Sequence, residues 1–270
     1  MSALLLVEGL TRRFAGLVAV DGVSMAVEAG GVHAVIGPNG AGKTTLFNLI
    51  SGLISPTEGR IWLGDADLTR LPPERRAALG LGRTFQNIRV FPAMTVLENV
   101  LTGLHTRTEA GLPGVLFRTP RFRAEERRAV ARAREALDFV GLAGKAGLRA
   151  SALAYGDQRR LEIARAIAPE PRLLLLDEPA AGMNPAETEA LAVLVRRLRD
   201  SRTTVLLVEH DVGFVMDISD SVTVLNFGRL IFDGPAAEAR QDQAVIEAYL
   251  GPKVAARLAA GAKAGVRGAG

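Results

Sequence analysis

One stretch restricts this chain more than any other: "HAVIGPNGAGKTTLFNLI", an apolar run, a glycine-rich loop and then a helical pattern. Gly37-Pro38-Asn39-Gly40-Ala41-Gly42-Lys43-Thr44 fits G-x-x-x-x-G-K-[ST]. The glycines of such a loop let successive backbone N–H groups turn inward around phosphate oxygens. Lys43 can then reach the outer phosphates, and the Thr44 hydroxyl can ligate Mg²⁺. The context is the one the pattern requires, with a strand over His33 to Ile36 before the loop and a helix from Gly42 after it.

Two further segments, "RLLLLDEP" and "TTVLLVEHD", read as buried strands that end in acids. Helical patterns follow them, near Pro185–Leu198 and Val212–Ile218. Strands alternating with helices imply an α/β fold with a mostly parallel sheet covered on both faces. "LLLVEGLTRRF", "GVSMAVEAG" and "SVTVLNFGRLIFDG" look instead like antiparallel hairpins. Asp177 is the obvious oxygen ligand for a Mg²⁺ held beside a nucleotide. Glu178 follows it on a strand end and points elsewhere, so it can face attacking water.

Between Asn87 and Ala152 the texture is helical, with few strand signals. Arg118, Arg121, Arg123, Arg127, Arg128, Arg132 and Arg134 cluster there. They read as a solvated helix face, with lipid head groups or an acidic partner as the other reading. In "LAYGDQRRLEIARAI", Leu161, Ile163, Ala164, Ile167 and Ala168 form one apolar stripe, with Arg159, Glu162 and Arg165 opposite and Arg160 awkwardly on the apolar side. The glycine-led opening at Tyr155-Gly156-Asp157 puts a partly positive helix N-terminus where it could meet an anion.

At 48% hydrophobic and 23% charged, the composition is that of a globular chain. No apolar run approaches the roughly 18 residues of a membrane span, and the start does not read as a cleavable leader. The absence of cysteine excludes disulfides and thiolate metal sites and agrees with a reducing cytoplasm. The pI near 9.9 could suggest nucleic acid, but the excess belongs to Lys253, Arg257, Lys263 and Arg267 in the last residues. Without those four, basic and acidic residues are equal at 29. Nucleic acid is therefore not expected as a partner, and residues 251–270 read as a disordered Gly/Ala-rich basic tail.

Taken together, the motifs resemble those of the nucleotide-binding subunit of ABC transporters, over essentially the whole chain before the tail. The phosphate loop is its Walker A, "LLLLDEP" its Walker B, and "LAYGDQ" (Leu153, Ala154, Tyr155, Gly156, Asp157, Gln158) its signature motif. "TFQN" places Gln86 as the Q-loop glutamine, "VEHD" places His210 as the switch histidine, and Phe14 sits where an aromatic stacks on adenine. The resemblance implies a P-loop NTPase fold over residues 1–250. It further implies an antiparallel β subdomain and a helical subdomain inserted at roughly 87–157.

The implied ATP contacts are Phe14 and Gly37 through Thr45. Thr44, Gln86 and Asp177 surround Mg²⁺, Glu178 is the general base, and His210 contacts the γ-phosphate. Two such domains pair head to tail, each signature helix facing the other's ATP. Two departures stand out: Ala154 where the family has serine, and Asn184 where its D-loop commonly has aspartate. A lost hydrogen bond to a charged group costs about 1.5–3 kcal/mol if nothing replaces it. His33 and His105 have no motif context and are expected to be structural.

"DEPAAGMNP", "VEHDVGFVMDISD" and "VIEAYLG" are similar to the importer ATPase for branched-chain amino acids. That resemblance implies a partner ATPase (a homologue or a second copy), two membrane permease subunits, indirectly a substrate-binding protein, and a peripheral place on the cytoplasmic face of the inner membrane. Similar ATPases serve urea and amide import or lipopolysaccharide export. A soluble ABC ATPase of DNA repair or translation would carry long coiled-coil arms or a second cassette, and neither pattern is seen. "FPAMTVLENV" offers Phe91, Met94, Val96 and Leu97 either to the core or to a groove for a coupling helix of the permease.

Overall fold

The computed structural model describes residues 3–104 and 120–250. His105, Arg118 and the basic tail lie outside the described residues. Among the described residues, ten strands form two sheets. The smaller has the order β2-β1-β4-β5, from β1 (Ala3–Phe14), β2 (Leu17–Glu28), β4 (Glu58–Leu63) and β5 (Ala66–Asp67), all pairs antiparallel. The larger runs β10-β9-β3-β8-β7-β6. Its members are β3 (Val32–Ile36), β6 (Leu81–Arg83), β7 (Leu173–Asp177), β8 (Thr204–Val208), β9 (Ser221–Asn226) and β10 (Arg229–Pro235). Every pair in it is parallel except β9 with β10. The expected hairpin "SVTVLNFGRLIFDG" thus forms, and its first strand also lies parallel beside β3.

The helices are α1 (Lys43–Ser51), α2 (Pro73–Ala78), α3 (Val96–Gly103), α4 (Pro120–Phe139), α5 (Tyr155–Ile167), α6 (Pro185–Asp200), α7 (Val212–Ile218), α8 (Ala236–Ala239) and α9 (Gln243–Leu250). Thr95 and Asn184 open α3 and α6 with capping boxes, closed by Glu98 and Glu187. Asn184 thus has a local task that its amide oxygen fulfils.

Successive strand residues point to opposite faces, so the larger sheet divides its apolar residues between two cores. Leu173, Leu175 and Leu206 join α1 and the antiparallel sheet. Leu174, Leu176, Val205 and Leu207 join the helices on the other side. Helices α3, α4 and α5 pack together there. Arg121, Arg123, Arg127, Arg128 and Arg134 of α4 are exposed, while Arg132 lies 3.7 Å from Glu170. In the described part of that cluster the arginines do line a solvated face.

The side of α5 opposite its apolar stripe is itself packed, because Arg159 and Glu162 are both fully buried. Arg160, placed awkwardly on the apolar side by the periodicity, pairs with Asp157 at the start of the same helix. As for "FPAMTVLENV", Val96 is core and Leu97 packs against it. Phe91 and Met94 face outward.

Candidate functional site

The phosphate loop joins β3 to α1, both central to the fold. Gly42 caps α1 with a left-handed backbone, φ 101°, and a Cβ there would collide with the Ala19 carbonyl oxygen. Only glycine fits that close approach. Lys43 is buried, its Nζ donating to the carbonyls of Gly37 (2.6 Å) and Pro38 (3.1 Å). Burial pulls its pKa below the ordinary lysine value, and Glu178 opposes that shift. Asn39, Gly40, Ala41, Thr44 and Thr45 line a cavity of about 420 Å³ together with Lys43 and Glu178.

Strand β7 ends on Asp177, which is buried and does not line this cavity, and Glu178, just after it, stands half-buried on the cavity wall. Glu178 has φ 45°, a left-handed conformation that costs a side-chain-bearing residue about 1–3 kcal/mol. Its N–H donates to the Val208 carbonyl at 3.0 Å, and its Oε2 accepts from Gln86 Nε2 at 2.8 Å. Gln86 and Glu178 are therefore already joined, and the glutamine's amide oxygen is left as the atom to meet a metal. His210 is exposed at the end of the neighbouring strand β8.

Several residues that organise this site had no assigned role in the sequence. Arg83 donates to Asp177 Oδ2 at 2.9 Å and to Asn48 Oδ1 at 2.9 Å, tying Walker B to α1. Burial raises the Asp177 carboxyl pKa, and the Arg83 guanidinium works against that rise. Glu209, fully buried, accepts from the backbone N–H groups of Ala180 (2.8 Å) and His210 (3.1 Å), holding the segment after Walker B against the switch histidine. The one available sign was an acid completing an otherwise apolar strand.

Beneath Gln86, Arg159 donates to the carbonyls of Phe85 (2.8 Å) and Gln86 (2.9 Å) and to Glu162 Oε2 (3.0 Å). Glu162 Oε1 in turn accepts from the N–H groups of Phe85 and Arg89 at 3.3 and 3.4 Å. The Q-loop segment is thus bolted to α5 by a buried ion pair.

At the start of α5, Ala154 is the N-cap and supplies no side-chain cap bond. A Cβ on Gly156 would stand 2.6 Å from the Glu187 carboxylate, and the Tyr155 hydroxyl donates to the Ala181 carbonyl at 3.0 Å. Asp157 is buried between Lys145 and Arg160, and Gln158 Nε2 turns back to the Leu153 carbonyl at 3.0 Å. None of Leu153 through Gln158 lines the phosphate-loop cavity of its own chain. Phe14 is 40% exposed, with the Arg12 guanidinium 4.5 Å from its ring centre. It pairs with Leu17 across the hairpin; Leu17 lines the cavity and Phe14 does not.

His33, as expected, is structural: buried, with Nε2 2.7 Å from the Thr223 hydroxyl and Nδ1 2.7 Å from that of Ser221. A second hollow, of about 460 Å³, lies beside the Q-loop and includes Phe85, Arg89, Phe91 and Arg165 among its walls.

This geometry has counterparts among known proteins. Residues 20–181 match the ABC transporter family, and residues 229–251 match the family described as branched-chain amino acid ATP-binding cassette transporter. The chain is 48% identical over 246 residues to the high-affinity branched-chain amino acid transport ATP-binding protein BraF of Pseudomonas aeruginosa, covering 91% of this chain and 96% of that one. It is also 48% identical over 249 residues to LivG of Salmonella typhimurium, a protein of the same description, covering 92% and 98%.

Among solved structures, an ATP-binding cassette of an ABC transporter in its ADP conformation superposes with a TM-score of 0.81 at 32% identity, covering 93% of this chain and 100% of that one. A dimeric bacterial ABC transporter cassette gives 0.72 at 25%, covering 86% and 98%. With Walker A, Walker B, the Q-loop and the signature helix assembled on that scaffold, this chain belongs to the ABC transporter family.

Proposed function

We propose that this chain is the ATP-hydrolysing subunit of an ABC importer for branched-chain amino acids, working at the cytoplasmic face of the inner membrane with permease subunits and a second ATPase subunit. The hydrolytic reading is carried by one observation: Lys43 and Glu178 line the same cavity, with Gln86 hydrogen-bonded to Glu178. The cargo rests on the relatives named for branched-chain amino acid transport and on the match of residues 229–251.

The donor set suits Mg²⁺, which favours hard oxygen ligands and keeps several from phosphate and water. Thr44, Asp177 and the Gln86 amide oxygen are of that kind. The described residues hold no group of three or more His, Cys, Asp or Glu able to take a metal by themselves. Held by these oxygens, Mg²⁺ would offset the negative charge that develops on the phosphate during transfer.

The loop N–H groups and Lys43 bind the phosphates. Glu178 orients water and takes its proton, while Gln86 holds that carboxylate until the γ-phosphate arrives. His210 reaches the γ-phosphate from the rim. The N-terminus of α5, which lines nothing in its own chain's cavity, closes the site on the other subunit. The hollow walled by Phe85, Phe91 and Arg165 receives the permease, so a shift of Gln86 is felt at the membrane subunit through the same segment.

The test is uptake of labelled leucine in cells lacking this protein, complemented with the wild type or with Glu178→Gln. Uptake restored by the wild type alone is the expected result. Leucine uptake indifferent to the protein would overturn the cargo, and urea would be the next label.

A further inference from the structure

The turn between β9 and β10 consists of Phe227 and Gly228, both left-handed, with φ 47° and 79°. A two-residue hairpin with positive φ at both central positions favours Asn, Asp or Gly at the first of them. Phe227 suits neither the backbone, since a bulky residue in the left-handed region is an outlier, nor the solvent. At 84% exposed it is the most exposed large hydrophobic side chain among the described residues.

The turn is nevertheless anchored. The Gly228 N–H donates to the Ala41 carbonyl at 3.0 Å, and its own carbonyl accepts from the Asp21 N–H at 2.8 Å. Phe227 therefore stands at a set position on the phosphate loop, and it lines the same cavity as Lys43 and Thr44. The cavity has two characters. Asn39 through Thr45 line it from the phosphate loop, and Leu17, Val18, Ala19 and Phe227 give it apolar lining.

We infer that Phe227 is the aromatic wall of the nucleoside end and packs against the base of the bound nucleotide. The inference rests on the reading of this cavity as an ATP site. A flat, exposed ring in an apolar cavity lining fits a purine face, and stacking tolerates variation in the base because every base offers a π-face. Strain and exposure at a ligand site are the known signs of a residue kept for binding rather than for stability. Phe14, on the neighbouring hairpin, does not line this cavity.

The experiment compares the full chain with Phe227→Asn and Phe227→Tyr, measuring ATP and tripolyphosphate binding by calorimetry with Mg²⁺ present. Asn suits the left-handed turn, so the Phe227→Asn protein should melt, without nucleotide, at or above the wild-type temperature. Its ATP affinity should fall about tenfold with tripolyphosphate affinity unchanged, and Phe227→Tyr should bind ATP as the wild type does. ATP affinity of Phe227→Asn within twofold of wild type would overturn the inference, as would equal losses for ATP and tripolyphosphate. A wild-type chain that binds neither ligand would overturn the ATP reading itself.

Discussion

At the residue scale, the positions legible in the sequence are those whose chemistry is local. Gly42, Lys43 and Thr44 stand in one loop, and Asp177 and Glu178 are adjacent on one strand end. Their partners were not legible: nothing near Asp177 in the chain announces Arg83, 94 residues away. His33 makes the energetic side of this concrete. Burial lowers its pKa from 6.5 to about 4, so the folded chain keeps it neutral among Ser221, Thr223 and Asp233.

As pH falls through 6.5 the unfolded chain takes up a proton that the folded chain refuses until about pH 4. Stability is therefore lost on acidification, by about 2 kcal/mol from this group between pH 7 and pH 5. Urea denaturation at the two pH values should show His33→Gln losing less than the wild type by about that amount. Equal losses in the two proteins would rule the explanation out.

At the scale of elements, α5 shows how periodicity can place residues rightly without saying what surrounds them. The 3.6-residue repeat does set Leu161 and Ile163 toward the core and Arg159 and Glu162 elsewhere, but that other side meets the Q-loop segment instead of water. A polar helix face can be a second interface as readily as a solvated one. The pair serves position: it ties the backbone around Gln86 to the signature helix.

Burial raises the Glu162 carboxyl pKa even with Arg159 beside it, so removing that guanidinium leaves a buried acid with only Arg165, 3.8 Å away, and two backbone N–H groups to hold its charge. We expect Arg159→Leu to destabilise the chain by about 3–5 kcal/mol, and Arg159→Leu/Glu162→Leu to recover part of that loss. Urea midpoints decide it. A single-variant loss under about 1 kcal/mol would show that the pair holds little.

At the scale of the whole molecule, the proposed mechanism makes the cavity in one chain half a site. The phosphate loop and Glu178 line it, and the signature residues do not. In the proposed mechanism the N-terminus of α5 meets the ATP of a second subunit. Glu178→Gln keeps the phosphate ligands while removing the proton acceptor, so MgATP should hold two such subunits together. Light scattering on a sizing column should then show the 28.6 kDa chain doubling in mass with MgATP. Lys43→Ala/Glu178→Gln should not respond. If the Glu178→Gln chain stays monomeric at saturating MgATP, it does not pair with itself, and a homologous subunit takes the place.

By itself the sequence determined what depends on neighbours along the chain: the phosphate loop between a strand and a helix, the acids ending β7, the alternation that makes a parallel sheet, and the order of motifs that marks the family. Only the tertiary structure decided what depends on residues brought together from afar. It set Arg83 on Asp177, Arg159 under the Q-loop, and Phe227 at the edge of the cavity that holds Lys43. The reason is physical. Backbone periodicity and turn chemistry are written within a few residues, whereas a buried charge or an exposed ring acquires its role from the surface it is packed against.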